Sequence, residues 1–365
     1  MLKETMADHN YALIMAGGQG TRFWPYSTPR RPKQFLPILG TDPLITRTFR
    51  RLEQVVARDR IYVVAEEGYR AAVMEALPDI DPENYIAEPM PRNTAPCMIL
   101  ANIVLSRRDP AGRMLVVPAD HHITDEKTFA RQMRAALEFA ERPVIITAGI
   151  VPDHPHTGYG YIRYTTARAE RLDNAVFHPV ETFEEKPDAQ TAAKYLSHGG
   201  YCWNSGMFVY KLRHFRTLLE RFAPEYADGY GKLEAAPLKD VPQVFAAMPP
   251  LSIDYALMEK GAEAWMMPAD FDWNDVGAWA SVFELGNRDE NGNVAGPGHV
   301  LLDSRDCLVF STGNTPVGLI GLEGVGVVQT QNGLLVGKLD LMQRVREVLQ
   351  DLDARSQSHS QDPEP

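Results

Sequence analysis

The sequence has few cysteines, and they are scattered. Cys97, Cys202 and Cys307 are the three cysteines in 365 residues, and none of them belongs to a CxxC pair or has metal-ligand spacing. This pattern excludes a disulfide framework and a zinc-thiolate site. We therefore predict reduced and mostly buried thiols.

Long apolar runs are also absent. No stretch approaches the roughly 18 to 20 apolar residues that a membrane-spanning helix needs. The first ten residues, MLKETMADHN, lack the apolar segment of a signal peptide. These absences predict a cytoplasmic protein with no membrane partner.

Positive charge is in deficit. The sequence has 37 Lys and Arg residues against 48 Asp and Glu residues, which gives a net charge of −11 at pH 7. An acidic surface repels nucleic acid and anionic membranes, so nucleic acid is not an expected partner. A local cluster of basic residues is informative in such a chain.

One such cluster lies in residues 11–36. An apolar run typical of a buried strand ends in a turn formed by Gly17, Gly18, Gln19, Gly20 and Thr21. The basic residues that follow are Arg22, Arg30, Arg31 and Lys33. Glycines let backbone N–H groups approach an anion closely, so we predict a phosphate-binding loop. The loop lacks the residues that define a P-loop or a dinucleotide-binding fingerprint, and both assignments are excluded.

Predicted strands and helices alternate up to about residue 150. This alternation predicts an α/β fold with a doubly wound, mostly parallel sheet. Three polar motifs, at 17–22, 88–93 and 119–122, fall at the carboxyl ends of predicted strands. Ligands bind at that edge of such a sheet, so we expect the three motifs to share one cleft.

The character of the chain changes after residue 151. Residues 152–211 alternate aromatic and β-branched segments, which predicts antiparallel strands that cap the sheet and hold a second substrate. Residues 287–298 are rich in Asn, Gly and Asp. We therefore predict a catalytic domain at 1–286, a small C-terminal β-rich domain with a terminal helix at 287–355, and a disordered tail at 356–365. One face of that helix is apolar, so we expect it to pack on the domain or on a second subunit.

Two aspartates are candidate metal ligands. Asp120 follows a predicted strand, and we place Asp275 at the end of another. Such a carboxylate is by itself more typical of a helix cap or an ion pair, although Mg²⁺ prefers oxygen ligands of this kind. A zinc site is also considered for His121, His122, His154 and His156. It is disfavoured because no cysteine or carboxylate is suitably spaced.

Seven motifs occur in a recognisable order. They are AGGQGTRFWP with PKQFL, EP at 88–89 with RNTAP at 92–96, PADHH at 118–122, TGYGYI at 157–162, FEEKP at 183–187, WNSGMF at 203–208 and DWNDVG at 272–277. Together they resemble the sugar-1-phosphate nucleotidyltransferases, and specifically the mannose-1-phosphate guanylyltransferases. The resemblance implies a nucleotide-diphospho-sugar transferase fold of the glycosyltransferase-A type with a small C-terminal β domain.

The resemblance also implies roles for individual residues. The catalytic residues would be Arg22, Lys33 and Lys186. The nucleotide-binding residues would be Gly17, Gly18, Gly20, Thr21, Glu88, Asn93 and Thr94. The sugar-phosphate-binding residues would be Gly158, Glu185 and Asn204, and the Mg²⁺ ligands would be Asp120 and Asp275. Trp203, Trp273 and Trp279 are expected to form core and cleft walls.

The implied reaction transfers GMP from GTP to α-D-mannose 1-phosphate, giving GDP-mannose and diphosphate without a covalent intermediate. Alternatives are another sugar 1-phosphate, such as a heptose or glucose derivative, another base, or a non-catalytic sugar-nucleotide-binding regulator. A homodimer is also considered. Gln19 and Ala119 stand where the family often has Ser. Longer members carry a cupin-type isomerase domain, and the length of this chain predicts no phosphomannose isomerase activity.

Overall fold

The structure, a computed structural model, describes residues 9–18 and 20–359. Its main sheet contains ten strands: β1 Asn10–Met15, β2 Ile61–Glu66, β3 Tyr85–Glu88, β4 Arg113–Pro118, β5 Ile145–Ile150, β6 Gly160–Tyr164, β7 Glu170–Leu172, β8 Ala175–Glu185, β9 Tyr201–Lys211 and β10 Ala264–Pro268. The helices of this region are α1 Leu44–Leu52, α2 Arg70–Ala76, α3 Thr94–Arg108, α4 Glu126–Phe139, α5 Ala189–His198, α6 Leu212–Phe222, α7 Pro224–Ala235 and α8 Val241–Ala247. A π-helical turn, Asp254–Met258, precedes β10.

The strand order is β3-β2-β1-β4-β9-β5-β10-β8-β6, with β7 paired to β8. Strands β3, β2, β1 and β4 are parallel, and Leu13 of β1 is in register with Tyr62 of β2 and Val116 of β4. Strands covered on both faces are apolar throughout, which explains the unbroken run in β1. The predicted α/β fold with a doubly wound sheet is confirmed.

The antiparallel strands are part of this sheet. Strand β9 lies between β4 and β5 and is antiparallel to both, and β6 pairs with β8 and β9. The expectation that these strands cap the sheet is therefore wrong. Pairing between distant strands depends on tertiary packing, which local residue patterns do not encode.

Asp275 was expected at a strand end, and this expectation is also wrong. Strand β10 ends at Pro268, and Asp275 lies in the loop that leads to helix α9, Trp279–Leu285. Phe271 and Trp273 alternate with polar residues before Asp275, and this alternation is also typical of a strand.

The C-terminal region is β-rich, as predicted. Its strands are β11 Val294–Ala295, β12 Val300–Leu302, β13 Leu308–Ser311, β14 Gly318–Ile320, β15 Val325–Thr330 and β16 Gly333–Lys338. They form a four-stranded sheet, β11-β13-β15-β16, and a two-stranded sheet, β12-β14. A 3₁₀ segment, Leu339–Arg344, leads into the terminal helix α10, Val345–His359.

The chain forms two compact units. The first contains the residues up to Gly17 and Ile45–Trp273, and the second contains Gly18–Leu44 and the residues from Asn274 onward. Most of the glycine loop thus groups with the C-terminal β strands, because its apolar side chains pack in their core. These units divide the chain at positions other than residue 286, so the functional boundary there stays a prediction.

The terminal helix is longer than expected. Residues 356–359 were predicted to be disordered, but α10 continues to His359. No glycine or proline interrupts the chain before Pro363, which permits this extension. The remaining tail, 360–365, lies outside the described residues.

Cys97, Cys202 and Cys307 are buried and unpaired, as expected. Among the helices of the described part of the chain, none has the length and apolarity needed to cross a membrane.

Candidate active site

The glycine loop closes on the segment that follows it. Gly20 has a left-handed backbone with φ of 59°, and a Cβ there would lie 2.6 Å from the Cβ and the backbone N of Lys33. Only glycine fits this position. The Ser27 hydroxyl donates to the Gly20 carbonyl at 2.7 Å, and the Gln34 amide donates to the Gly18 carbonyl at 2.9 Å. The loop and the PKQFL segment are therefore one structure.

This fold brings three predicted residues of the second unit together. Lys33 is buried, and its Nζ donates a 2.7 Å hydrogen bond to the backbone carbonyl of Asp275. Arg22 lies in the 3₁₀ turn Thr21–Phe23. A Cβ on Gly277 would lie 2.9 Å from Oδ2 of Asp275 and 3.4 Å from Nη1 of Arg22. Two cationic groups thus lie beside the predicted metal ligand.

A buried carboxylate lies at the end of β3 in the first unit. Glu88 is 5% exposed, and its Oε1 has no hydrogen-bond partner among the described residues. Burial and the nearby charge of Glu66 raise the pKa of Glu88 to about 7, although a hydrogen bond from the Arg92 backbone opposes this. A Cβ on Gly17 would lie 3.4 Å from Oε2 of Glu88, so the start of the glycine loop adjoins this carboxylate.

Asn93 and Thr94 form the N-terminus of α3. The Asn93 side chain accepts a hydrogen bond from the Thr94 N–H at 2.9 Å. The Thr94 hydroxyl accepts one from the backbone of Ile253 at 2.8 Å. Both side chains therefore have structural partners, while the N-terminus of a long helix provides a site favourable to anions.

Asp120 lies two residues after the end of β4 and is half-buried. The residue before it, Ala119, donates its backbone N–H to the Met15 carbonyl of β1 at 3.0 Å. In the described ranges, no group of three or more His, Cys, Asp or Glu side chains is placed to hold a metal ion. A single carboxylate fits Mg²⁺, which commonly takes one or two protein carboxylates and completes its shell with phosphates and water. Gln19 lies outside the described residues.

A lysine and a carboxylate pair at the end of β8. The Lys186 Nζ lies 2.6 Å from Oε1 of Glu185, whose side chain is 8% exposed. Burial alone would lower the pKa of Lys186. The hydrogen bond to Glu185 and the charges of Glu185 and Asp254 outweigh it and raise the pKa, so the ammonium keeps its charge.

The other predicted sugar-binding residues already have protein partners. The Gly158 N–H donates to Nδ1 of His156 at 3.1 Å. The Asn204 amide accepts from the Thr147 hydroxyl at 2.8 Å and donates to Oδ1 of Asp254 at 2.8 Å. The amide group of Asn204 is thus fixed in one orientation.

Left-handed backbone occurs at three predicted motifs. Asn93, Lys186 and Val276 have φ of 67°, 52° and 47°. This conformation is unfavourable for residues with a Cβ, above all for β-branched valine. Such strain persists where the surrounding structure imposes it and is concentrated at functional sites.

Residues 11–292 match the nucleotidyl transferase family, and residues 298–352 match the MannoseP isomerase/GMP-like beta-helix domain. The chain belongs to the nucleotidyl transferase family. The family expected from the sequence motifs is thereby confirmed.

Individual relatives extend this match. The xanthan biosynthesis protein XanB of Xanthomonas campestris pv. campestris is 37% identical over 356 residues, which is 95% of this chain and 74% of that protein. The mannose-1-phosphate guanylyltransferase of Escherichia coli K12 is 36% identical over 354 residues, 94% of this chain and 73% of that protein. A crystal structure from Thermus thermophilus, described as a mannose-1-phosphate geranyltransferase, has a TM-score of 0.85 and 32% identity, and the match covers 94% of this chain and 99% of that one.

The sequence motifs missed one residue of this nucleotidyl transferase. Asp254 lies at the start of the π-helical turn, where it accepts the hydrogen bond from Asn204. Burial and the neighbouring charge of Glu185 raise the pKa of Asp254 to about 6. Asp254 lies outside the seven sequence motifs, and its neighbours in the sequence give no indication that it lies beside the FEEKP and WNSGMF motifs.

Several of these motifs contain aromatic side chains. Trp203 and Trp279 are buried, while half-buried Trp273 donates its Nε1–H to Nδ1 of His121 at 3.1 Å. The ring of His156 stacks on Tyr159 with centroids 3.8 Å apart. Trp203 and Trp279 are thus parts of the packed core, as the sequence suggested.

Proposed function

We propose that the protein transfers GMP from GTP to α-D-mannose 1-phosphate, giving GDP-mannose and diphosphate. The observation that carries this proposal is the surroundings of Asp275: Lys33 donates to its backbone carbonyl, and its carboxylate and Arg22 both adjoin Gly277. Cations beside a carboxylate that could bind a metal suit a polyphosphate. The names of the Escherichia coli relative and of the Thermus structure support mannose 1-phosphate as the acceptor.

Glu88 supports guanine as the base. Guanine presents two adjacent hydrogen-bond donors, N1–H and N2–H, on one edge. The carboxylate of Glu88 has a buried oxygen that no described residue contacts by a hydrogen bond. A base that cannot donate to this oxygen leaves it unpaired, at a cost of roughly 1–3 kcal/mol. Gly17, Gly18, Gly20 and Thr21 would bind the phosphates, and Asn93 and Thr94 would contact the nucleotide.

The acceptor would bind at the end of β8. Lys186 holds the phosphate of mannose 1-phosphate, and Glu185 accepts hydrogen bonds from sugar hydroxyls. Asn204, oriented by Thr147 and Asp254, and the Gly158 backbone complete this side. The fixed charge of Lys186 is suited to a phosphate.

The reaction is an in-line displacement. A phosphate oxygen of mannose 1-phosphate attacks the α-phosphorus of GTP, and the bond to the bridging oxygen of diphosphate breaks. Arg22 and Lys33 neutralise the charge that develops on the leaving diphosphate, so catalysis consists of positioning and electrostatic stabilisation. Mg²⁺, with Asp120 and Asp275 as its protein ligands, would lower the repulsion between the two anionic substrates.

We further propose that the protein acts in the cytoplasm and forms a homodimer. Three buried, unpaired cysteines fit a reducing compartment. Val348 and Leu352 of α10 are 40% and 42% exposed, which leaves apolar surface for a second subunit.

The test is diphosphate release by the pure protein with four nucleoside triphosphates and with mannose, glucose and heptose 1-phosphates. We expect GTP with mannose 1-phosphate to give the highest kcat/KM, and Asp120→Asn to abolish release. Preference for another sugar or base would contradict the assigned substrates. Tight GDP-mannose binding without any diphosphate release would contradict enzyme activity.

A further inference from the structure

The segment that carries Asp120 is held through its backbone. We call residues 119–125, between β4 and α4, the Asp120 loop. At its start, Ala119 donates its N–H to the Met15 carbonyl at 3.0 Å. The Ala119 carbonyl accepts a hydrogen bond from the hydroxyl of Thr48 at 3.1 Å. Both backbone polar groups next to Asp120 are therefore fixed.

Thr48 is one of a pair on helix α1. Arg51 is three residues further on, which places both side chains on the same helix face. Nη2 of Arg51 donates to the Thr48 hydroxyl at 3.0 Å. Thr48 is fully buried and Arg51 is 3% exposed. The Thr48 hydroxyl therefore accepts a hydrogen bond from the guanidinium and donates one to the Ala119 carbonyl.

The guanidinium also reaches further along the loop. Nη2 of Arg51 lies 3.4 Å from the His121 carbonyl, and Nη1 lies 3.5 Å from the Ile123 carbonyl. Burial lowers the pKa of Arg51 to about 10, which leaves it cationic at neutral pH. A buried charge is costly unless it is hydrogen-bonded, so its placement beside the carbonyls of His121 and Ile123, with Thr48 between it and the Ala119 carbonyl, indicates a specific role.

The other end of the loop is held by a carboxylate. Asp272 accepts hydrogen bonds from the Thr124 N–H at 2.9 Å, the Thr124 hydroxyl at 2.6 Å and the Asp125 N–H at 2.7 Å. Burial would raise the pKa of Asp272, but these hydrogen bonds outweigh it and lower the pKa. Asp272 therefore stays ionised, and it belongs to the motif that contains Asp275.

We propose that Thr48, Arg51 and Asp272 are positioning residues that hold the Asp120 carboxylate in one orientation for the metal of the proposed reaction. The inference rests on the proposed function, in which Asp120 is a metal ligand. None of the three is proposed to contact substrate. They act through the backbone of the Asp120 loop, as residues behind a metal ligand commonly do.

Helix α1 offers a matched control. The hydroxyl of Thr46 donates to the Ala76 carbonyl at 2.8 Å, away from the Asp120 loop, and Thr46 is also buried. Thr46→Val and Thr48→Val each remove one buried hydroxyl from the same helix. We therefore expect both variants to lower the Tm by a similar amount, of a few degrees.

The two variants should differ in metal dependence. GTP affinity would be measured by calorimetry with Mg²⁺ and with EDTA. We expect Thr48→Val to reduce the enhancement of GTP binding by Mg²⁺ about tenfold or more, and to reduce kcat by a similar factor. Thr46→Val should keep the native Mg²⁺ enhancement of GTP binding and the native kcat. In EDTA both variants should bind GTP as the native protein does, and Thr48→Ser should restore the enhancement.

The outcomes separate the two proposals. Equal Mg²⁺ enhancement and equal kcat in Thr46→Val and Thr48→Val would overturn the positioning role. Native protein in which Mg²⁺ does not enhance GTP binding would overturn it as well. A native protein that binds Mg²⁺ and GTP but forms no GDP-mannose would contradict the proposed function, while the calorimetric comparison would still decide the positioning role.

Discussion

The ammonium group of Lys33 donates a 2.7 Å hydrogen bond to the backbone carbonyl of Asp275, a residue 242 positions away in the sequence. The contact joins two parts of the proposed phosphate-binding site within one compact unit. It also explains how a loop without a P-loop lysine obtains a cation, since Lys33 arrives from the segment that packs on Gly20.

Removing this cation should lower the rate of nucleotidyl transfer. We expect Lys33→Met to reduce kcat/KM by about 10²–10³, the scale of a lost electrostatic stabiliser. Steady-state diphosphate release measures the effect. Lys232→Met is the control, because Lys232 is an exposed residue that pairs with Asp228 on α7. If Lys33→Met kept kcat/KM within about threefold of the native value, Lys33 would have no catalytic role.

Removing the Lys186 ammonium should impair the use of mannose 1-phosphate and leave GTP binding unchanged. We expect Lys186→Ala to reduce kcat/KM for mannose 1-phosphate about 10²-fold, because the substrate phosphate loses its cation. Calorimetric GTP affinity should remain native. Lys194→Ala, at an exposed position on α5, serves as the control. If Lys186→Ala weakened GTP binding but kept the native kcat/KM for mannose 1-phosphate, Lys186 would belong to the nucleotide site and not to the acceptor site.

Glu88 should make folding stability depend on pH. Its pKa is raised from 4.5 to about 7 by burial. The folded protein therefore binds a proton that the unfolded chain has released between these values, and stability falls as pH rises through this window. We expect Glu88→Gln to be more stable than the native protein by roughly 1–3 kcal/mol at about pH 8, with the difference vanishing at about pH 5.

Denaturant unfolding across this pH range tests the prediction, with Glu83→Gln as an exposed control on the segment before β3. If the free energy of unfolding changed with pH in the same way for Glu88→Gln and for the native protein, the prediction would be contradicted. The same substitution should weaken GTP binding, since the amide offers one acceptor where the carboxylate offers two.

The C-terminal β strands should contribute to nucleotide binding. The carbonyl of Pro25, just after the 3₁₀ turn that carries Arg22, accepts hydrogen bonds from Thr330 at 3.0 Å and Asn332 at 3.1 Å. We expect Asn332→Ala to raise the KM for GTP up to about tenfold by loosening this turn, with little change in the KM for mannose 1-phosphate. Asn314→Ala, at an exposed position of the same unit, is the control. Equal KM values for GTP in both variants would show that the contact is only structural.

Much of the fold followed from local patterns. Strands β1, β2 and β4 are continuous apolar runs bounded by polar loops, and α3 lies between them, so the parallel half of the sheet was predictable. The insertion of β9 between β4 and β5 was not, because partners far apart in sequence are selected by packing. Helices α7 and α8 were missed for a related reason: tertiary contacts override their mixed residue patterns.

Some residues of the candidate site were likewise recognisable from the sequence, and others were not. The glycine loop, the Glu88 motif and the Glu185–Lys186 pair were recognisable because each is contiguous in the sequence. Asp254 was not, because its hydrogen bond to Asn204 joins residues 50 positions apart.

The sequence alone determined the family and the order of its motifs, and it predicted roles for the residue types: glycines for an anion, lysines and arginines for phosphates, and aspartates for a hard metal ion. Only the tertiary structure decided which groups lose water and which neighbours they gain. Burial raises the pKa of Glu88, Lys33 binds the Asp275 carbonyl, and Thr48 binds the Ala119 carbonyl. Desolvation and hydrogen bonding act over a few ångströms, and residues distant in the chain come within that range only when it folds.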